Sequence, residues 1–186
     1  MSGRPPSVEF TSEWCGREVE IAELFCRTFS VSEGAEEGEV VGRLARDLLA
    51  TTPEGDLRVF LARQDAALGG CIIFTRLTFR EDARRVFLLA PVAVAPEVQG
   101  RGLGQRLIAH ALGALRVEAA DVAVTYGDPG FYGRVGFVPV TVDQVPPPQP
   151  LGQPEGWLAQ ALAGGPLAPL AGPARCAPAL DDPAYW

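Results

Sequence analysis

The sequence contains a single histidine, and none of its four cysteines lies in a Cys-x-x-Cys pair. A set of zinc ligands cannot be assembled from one His and dispersed Cys residues, so we expect no metal cofactor. Basic residues are also scarce, because 16 Lys and Arg stand against 23 Asp and Glu and leave a net charge of −7. This balance argues against a nucleic-acid partner, since a protein that binds nucleic acid presents a basic face.

No apolar run is long enough to span a membrane, and residues 1–6 lack the apolar core of a signal peptide. We therefore expect no membrane partner. Cys26 and Cys71 fall within apolar patterns and are expected to be buried thiols, which favours a reducing cytoplasm. With 186 residues, of which 47% are hydrophobic and 21% charged, the chain is expected to fold as one globular domain over residues 1–186.

The most informative stretch is Val86–His110. Its first part, Val86–Ala95, is a nearly unbroken apolar run, which predicts a strand buried on both faces. Gln99–Gly104 follows as a glycine-rich turn, and apolar residues at helical spacing over Leu103–Glu118 predict an amphipathic helix. A helix that starts after such a turn presents unpaired N–H groups and the positive end of its dipole, which favour an anion such as a phosphate.

The glycine turn does not match the two best-known phosphate-binding motifs. A P-loop requires Lys-Ser or Lys-Thr after its last glycine, and neither follows here. The dinucleotide motif fails because Gly100, Gly102 and Gly104 are spaced two residues apart, and Gln105 stands where the third glycine should be. Two interpretations of the glycine turn stay open at this point. It is a tight turn without a ligand, or it binds ATP or NAD in another way.

The flanking sequence predicts the remaining elements. Asp121–Tyr126 predicts a buried strand parallel to Val86–Ala95, because a helix joins the two in a right-handed crossover. Asp128 is then expected to cap a short helix with Pro129 at its first position. Upstream, the pattern predicts a strand at Ser7–Thr11 and then a helix over Glu13–Phe29 capped by Ser12. A polar break over Ser30–Glu39 separates this helix from a second one that ends before Thr52. Two strands follow, Leu57–Arg63 and Leu68–Arg80, joined by a turn at Gln64–Ala67.

The C-terminal part carries weaker signals. Phe137–Val142 is expected to be a strand, residues 143–154 a proline-rich connection, and Glu155–Leu162 a last strand anchored by Trp157. Residues 155–186 are too apolar for a solvated tail, so we expect this extension to pack on the domain. Its apolar residues could instead form a contact between the subunits of a homodimer.

Two motifs resemble one known family. Gln99-x-x-Gly102-x-Gly104, after a strand and before a helix, resembles the pyrophosphate loop of the GNAT N-acetyltransferase superfamily. The segment Phe131-Tyr132-x-x-x-Gly136-Phe137 resembles the corresponding segment of YhbS-like members. The resemblance extends over residues 7–140. It implies an α/β chain with the GNAT acyl-CoA N-acyltransferase fold, a central mixed sheet of about seven strands flanked by helices.

The resemblance also implies an activity and a site. The activity would be transfer of the acetyl group from the co-substrate acetyl-CoA to a primary amine, of a small molecule or a peptide, by direct attack. Main-chain groups of Val92, Ala93 and Val94 would hold the pantetheine arm, and Tyr132 would protonate the leaving thiolate as catalytic acid. The pyrophosphate would lie against the glycine turn, whose residues are Gln99, Gly100, Arg101, Gly102, Leu103, Gly104 and Gln105.

Several roles stay open from the sequence. Arg101 and Arg106 either add charge at the pyrophosphate or are solvated helix-face side chains. Tyr126 is a weaker alternative as the acid, and His110 is expected to be a surface or packing residue rather than a base. Because Val86–Ala95 contains no ionisable residue, it offers no general base. The alternative function is therefore a catalytically silent GNAT-fold sensor or partner module that only binds acetyl-CoA.

Overall fold

The computed structural model describes residues 7–64 and 66–186. The expectation for residues 1–6, and Asp65 in the predicted turn, lie outside the described residues. The α-helices are α1 (Glu18–Glu33), α2 (Ala35–Thr51), α3 (Leu103–Val117) and α4 (Pro129–Tyr132). The strands are β1 (Val8–Thr11), β2 (Leu57–Gln64), β3 (Ala67–Phe79), β4 (Asp82–Val94), β5 (Val122–Tyr126), β6 (Val138–Pro139), β7 (Trp157–Ala161) and β8 (Ala174–Arg175). Among these helices, none has the length and hydropathy needed to cross a bilayer.

The strands form one mixed sheet in the order β1-β2-β3-β4-β5-β7-β6, and β8 pairs with β3 outside this path. Neighbouring strands run antiparallel except β4 and β5, which are parallel and are connected through α3. The predicted mixed sheet is confirmed, with eight strands in the described chain where about seven were expected. No sequence pattern predicts β8, because Ala174–Arg175 is too short to show a period.

The first half of β4 lies at the centre of the core. Its successive side chains point to opposite faces of the sheet, as they must in a strand. Val86 and Leu88 join the apolar cluster beneath α1 and α2, whereas Phe87 and Leu89 join the cluster beneath α3. All four side chains are at most 1% exposed, so the predicted burial of this segment on both faces is confirmed.

α1 begins and ends later than the sequence predicts. The expected helix is Glu13–Phe29 with Ser12 as its cap, but the observed helix is Glu18–Glu33. The chain before it makes a turn, in which Gly16 has a left-handed φ of +80° and donates its N–H to the Glu18 carboxylate at 3.0 Å. A left-handed residue interrupts a right-handed helix, so the first helical residue lies beyond it.

The predicted polar break at Ser30–Glu39 is confined to one residue, Gly34, whose φ is +105°. α2 starts at the next residue and packs closely along α1. Gly38 and Gly42 allow this approach, since a Cβ on Gly42 would lie 2.8 Å from Cys26 Cβ and one on Gly38 would lie 2.5 Å from the Cys26 carbonyl oxygen. The run of polar residues therefore marks exposed helix surface rather than a loop.

β7 lies inside the sheet, paired with β5 on one side and with β6 on the other. β6 is shorter than the expected Phe137–Val142, because the chain turns at Thr141, whose hydroxyl accepts the Gln144 N–H at 3.2 Å. Trp157 is fully buried, and its indole N–H donates to the Val145 carbonyl at 2.8 Å. These contacts support the proposal that residues 155–186 and the rest of the chain form one domain.

Removing the chain after Pro148 is expected to unfold the protein or make it insoluble. The cut deletes β7 and its buried side chains, which include Trp157, Leu158 and Leu162. Each large apolar side chain contributes about 1.5–3 kcal/mol when fully buried, and a whole domain is stable by only about 5–15 kcal/mol. Soluble yield and thermal unfolding of the truncated and full-length chains measure the effect.

Point variants measure the contribution of Trp157 to stability separately from that of the rest of residues 155–186. Trp157→Ala should lower the free energy of unfolding by about 3–5 kcal/mol in a urea titration. Val138→Ala is the matched control, because this side chain on the neighbouring β6 is 55% exposed. It should change the same free energy by less than about 0.5 kcal/mol. A soluble truncation that melts at the full-length temperature would show that the extension is not part of the fold.

Candidate active site

β4 and β5 run side by side only from the pair Val86–Val122 to the pair Leu89–Thr125. The Thr125 hydroxyl donates to the Leu89 carbonyl at 3.0 Å where this pairing ends. Beyond it, β4 continues to Val94 with β3 as its neighbour. In the pairing that the structure describes, the other edge of residues 92–94 has no strand partner. The two parallel strands thus separate at their carboxyl ends, which is where open α/β sheets bind ligands.

The glycine turn lies directly after this free edge. Gly100 and Gly102 have left-handed φ values of +73° and +72°, which residues with a Cβ rarely adopt. The first bond of α3 runs from the Arg106 N–H to the Gly102 carbonyl at 3.1 Å. The amides of residues 103–105 therefore start the helix without intrahelical acceptors, and with the helix dipole they suit an anion.

A cavity of about 590 Å³ lies between the free edge of β4, the glycine turn and α4; we call it the cofactor cavity. It brings together most of the predicted site residues, namely Val92, Val94, Gln99, Gly100, Gly102, Leu103, Gly104, Gln105 and Tyr132. Two predicted residues are not in its walls. Ala93 is 1% exposed and packs beneath α1 and α2, so it can offer only main-chain groups, and the Arg101 side chain points to solvent.

Three further residues line this cavity and were not predicted as site residues: Thr28, Phe131 and Arg134. Thr28 belongs to the buried stripe of α1, and its hydroxyl lies 3.4 Å from the Val94 carbonyl oxygen. Nothing in the local pattern of α1 indicates this contact with the end of β4. Arg134 follows Tyr132 by two residues, so the same motif could have indicated a basic side chain at the cavity.

Three polar side chains around the turn have partners within the fold. Gln99 donates through Nε2 to the Val94 carbonyl at 2.9 Å, which ties the turn to the end of β4. The Arg106 guanidinium lies over the Phe10 ring, 5.5 Å from its centroid, and does not line the cavity. His110 stacks on the same ring at 5.2 Å, so it packs as the sequence predicts.

Tyr132 ends α4, which the chain fixes in the predicted way. The Asp128 carboxylate accepts the Gly130 N–H at 2.8 Å as the helix cap, and Pro129 occupies the first helical position. The Tyr132 ring packs edge-on against Phe137 with 5.8 Å between centroids. Burial raises the pKa of Tyr132, and the Asp128 charge acts in the same direction while the Thr125 hydroxyl opposes it. The phenol is therefore protonated at neutral pH and able to donate a proton.

Tyr126, the alternative acid, has a structural role. Its hydroxyl accepts the Gln153 N–H at 2.6 Å, and its ring stacks on Trp186 with 6.4 Å between centroids. Tyr126 does not line the cofactor cavity, whereas Tyr132 does. The geometry therefore favours Tyr132 as the group that faces a ligand in this cavity.

A second cavity of about 410 Å³ adjoins the first, and Val92 and Tyr132 line both. Its walls come from α1, α2, the end of β4 and the C-terminal residues around Tyr185. Tyr132 thus lies between two compartments, so that a ligand in one could react with a ligand in the other. Within residues 7–64 and 66–186, no group of three or more His, Cys, Asp or Glu side chains is arranged to hold a metal ion.

A parallel strand pair that separates beside a glycine turn, with the half-buried Tyr132 phenol at the opening, is the arrangement that the resemblance to acyl-CoA N-acyltransferases implies. In agreement, residues 55–139 match the family described as Acetyltransferase (GNAT) domain. The chain is 36% identical over 163 residues to a protein of Escherichia coli (strain K12) named "Uncharacterized N-acetyltransferase YjhQ". That match spans 85% of this chain and 86% of the relative.

Solved structures of this fold resemble the whole chain. The GNAT family N-acetyltransferase YhbS from Escherichia coli, in complex with CoA, superposes with a TM-score of 0.78 at 20% identity over 98% of this chain and 97% of that one. A GNAT family acetyltransferase from Brucella melitensis, in complex with acetyl-CoA, gives 0.73 at 24% identity over 94% and 99%. The chain belongs to the GNAT family of acetyl-CoA-dependent N-acetyltransferases.

Proposed function

We propose that this protein transfers the acetyl group of acetyl-CoA to the primary amine of an acceptor by direct attack. One observation carries the proposal: the cofactor cavity joins the free edge of β4, the anion-binding start of α3 and the Tyr132 phenol in one space. The CoA and acetyl-CoA bound to the two structural relatives support the same ligand here.

The cavity offers each part of acetyl-CoA a matching surface. The main chain of Val92–Val94 would pair with the pantetheine arm as an added strand, which explains why Ala93 needs no side chain in the cavity. The amides and glycines of residues 99–105 would receive the pyrophosphate, and Arg134 would add positive charge. An N–H from the same part of β4 would donate to the thioester oxygen and polarise the carbonyl.

The proposed acetyl transfer uses both cavities and the Tyr132 phenol. The neutral amine attacks the thioester carbon from the second cavity, and the C–N bond forms as the C–S bond breaks. Tyr132 donates its phenolic proton to the departing thiolate, and the proton lost by the nitrogen passes to water, which restores the phenol. Water is proposed as the carrier because Asp128, the carboxylate near Tyr132, is engaged as the cap of α4.

The setting and state of the protein are also proposals. The four cysteines are free thiols, which supports a reducing cytoplasm. A homodimer would use apolar surface that the described chain leaves exposed, such as Val138 and Val142 beside β6. Size-exclusion chromatography with light scattering decides between monomer and dimer.

A thiol-reagent assay of CoA release over a panel of amines tests the activity. All of the 16 basic residues are arginines, so no lysine side chain of the enzyme competes as an acceptor. Acetyl-CoA binding without transfer to any amine would favour the silent sensor instead. Thermal shifts with acetyl-CoA, ATP and NAD test the nucleotide alternative, since a ligand at a hundred times its Kd adds about 2.7 kcal/mol.

Gly102→Val is expected to weaken acetyl-CoA binding at least tenfold in a calorimetric titration while the protein stays folded. The valine must adopt a φ of +72°, and its side chain stands beside the amides proposed to bind the pyrophosphate. Gly104→Val should also weaken binding, because its Cβ comes 3.1 Å from Val94 Cγ2 in the cavity wall.

Gly113→Val is the matched control on the same helix. An added Cβ there meets nothing within 4 Å and φ is not positive, so the Kd for acetyl-CoA should not change. An unchanged Kd for Gly102→Val, or an equal loss for Gly113→Val, would contradict the assignment of the turn.

Arg134→Ala is expected to weaken acetyl-CoA binding more than Arg101→Ala does. Both side chains are exposed, but Arg134 lines the cofactor cavity and Arg101 does not. Both losses should shrink as salt is added, since screening weakens charge interactions at exposed sites. A larger loss for Arg101→Ala, measured by the same titration at low and high salt, would reverse the assignment.

Tyr132→Phe is expected to leave acetyl-CoA affinity nearly unchanged and to lower kcat by about 10²-fold, as loss of a positioned acid does. Phenylalanine keeps the ring and its packing but has no proton to give. Tyr126→Phe should lower kcat much less, since its hydroxyl holds the Gln153 N–H. Turnover of Tyr132→Phe at the wild-type rate, with chemistry rate-limiting, would assign the acid to another group or to water.

A further inference from the structure

The second cavity is the compartment from which an acceptor would reach the acetyl group, and we call it the acceptor chamber. Its walls include Phe29 and Glu33 of α1, Glu37 and Leu44 of α2, and Leu180 and Tyr185 of the C-terminal segment. Because Val92 and Tyr132 line both the chamber and the cofactor cavity, an amine in the chamber lies next to the proposed acid.

All charged side chains that line the acceptor chamber are acidic. Three carboxylates line it, those of Glu33, Glu37 and Asp128, and no Arg or His side chain is among its lining residues. Within residues 7–64 and 66–186, no ion pair neutralises Glu33 or Glu37. Arg43, which is not among the lining residues, acts on the Tyr185 phenol as a positive charge. Such a chamber attracts ammonium ions and repels carboxylates.

The remaining walls are apolar and aromatic. Phe29, Leu44, Leu180 and Tyr185 face the space together with Val41 and Leu89. The volume of about 410 Å³ lies at the lower end of the range of small-molecule sites, which is about 300–1,000 Å³. An acceptor therefore has room for a compact apolar body beside its amino group, and it has no cation in the walls to pair with an acidic group.

The C-terminal segment closes one side of the chamber. It is held in place by the Trp186 indole N–H, which donates to the Leu180 carbonyl at 2.9 Å, and by stacking of Trp186 on Tyr126. The segment thus contributes Leu180 and Tyr185 to a fixed wall. Its side chains are in a position to select the acceptor without touching the cofactor cavity.

We propose that the acceptor is a small monoamine with an aromatic body and no carboxylate, that is, an arylalkylamine. The inference rests on the proposed acetyl transfer and adds the substrate class. Glu33 and Glu37 would favour entry of the ammonium form, which loses one proton to water before the nitrogen attacks, and would disfavour acids. Tyr185 would contact the apolar body. Amino acids and acidic peptide ends are then poor acceptors.

Matched pairs of amines test separately how a carboxylate and an aromatic ring on the acceptor change the rate. The wild-type enzyme is assayed for kcat/KM with 2-phenylethylamine, phenylalanine amide, phenylalanine, ethylamine and the polyamine spermidine. With kcat/KM expressed per concentration of neutral amine, because the two amino groups differ in pKa, phenylalanine amide should exceed phenylalanine at least tenfold, since it lacks the carboxylate charge. 2-Phenylethylamine should exceed ethylamine by a similar factor, because the chamber buries its ring.

Variants assign these preferences to the chamber. The double variant Glu33→Gln, Glu37→Gln should reduce the preference for the amide over phenylalanine at least threefold. Glu36→Gln is the matched control, since Glu36 lies on the same helix and does not line the chamber, and it should leave the ratio unchanged. Tyr185→Ala should reduce the preference for 2-phenylethylamine over ethylamine. Acetyl-CoA affinity, measured for each variant, should stay at the wild-type value.

The outcomes separate this inference from the function on which it rests. Acetyl-CoA binding and transfer with phenylalanine, ethylamine or a polyamine as the best acceptor would overturn the arylalkylamine class and leave acetyl transfer standing. Acetyl-CoA binding with none of these amines acetylated would overturn the class as well. Failure to bind acetyl-CoA at all would instead overturn the proposed function.

Discussion

The proposed function depends on the point at which β4 and β5 stop pairing. Up to Leu89 and Thr125 the two strands satisfy each other's main chain, and beyond that pair the edge of β4 is free. A free edge in the middle of a sheet is costly unless another group pairs with it, because main-chain N–H and C=O groups need partners. Here the free edge lines a cavity, and an extended ligand arm would complete the ladder.

Burial on both faces holds the paired half of β4 in place. Side chains of Val86–Leu89 alternate between the core beneath α1 and α2 and the core beneath α3, so this half cannot move without disturbing both. Of residues 92–94 in the separated half, only Ala93 is fully buried, while Val92 and Val94 are half-buried and line the cavity. The end of β4 is further fixed by Gln99 and Thr28, which both bond to the Val94 carbonyl. The opening is thus rigid, which suits a site that must align two substrates.

Local pattern was enough to predict the part of the site formed by consecutive residues. The apolar run of β4, the glycine turn and the Asp128-Pro129 start of α4 each have strong signals at short range, and the structure forms each of them. The start of α1 was missed because the left-handed turn at Gly16 ends the pattern that Ser12 seemed to begin. The acceptor chamber could not be predicted, since its walls join Phe29 to Tyr185 across most of the chain.

Hydrogen exchange with and without acetyl-CoA is the most direct test of the central claim, that the free edge of β4 pairs with the ligand. The account predicts slower exchange on binding for the amides of residues 92–94 that face away from β3 and for those of residues 100–105, with residues 122–126 of β5 unchanged because they are already paired. Binding of acetyl-CoA without protection of residues 92–94, or with protection confined to another part of the chain, would contradict it.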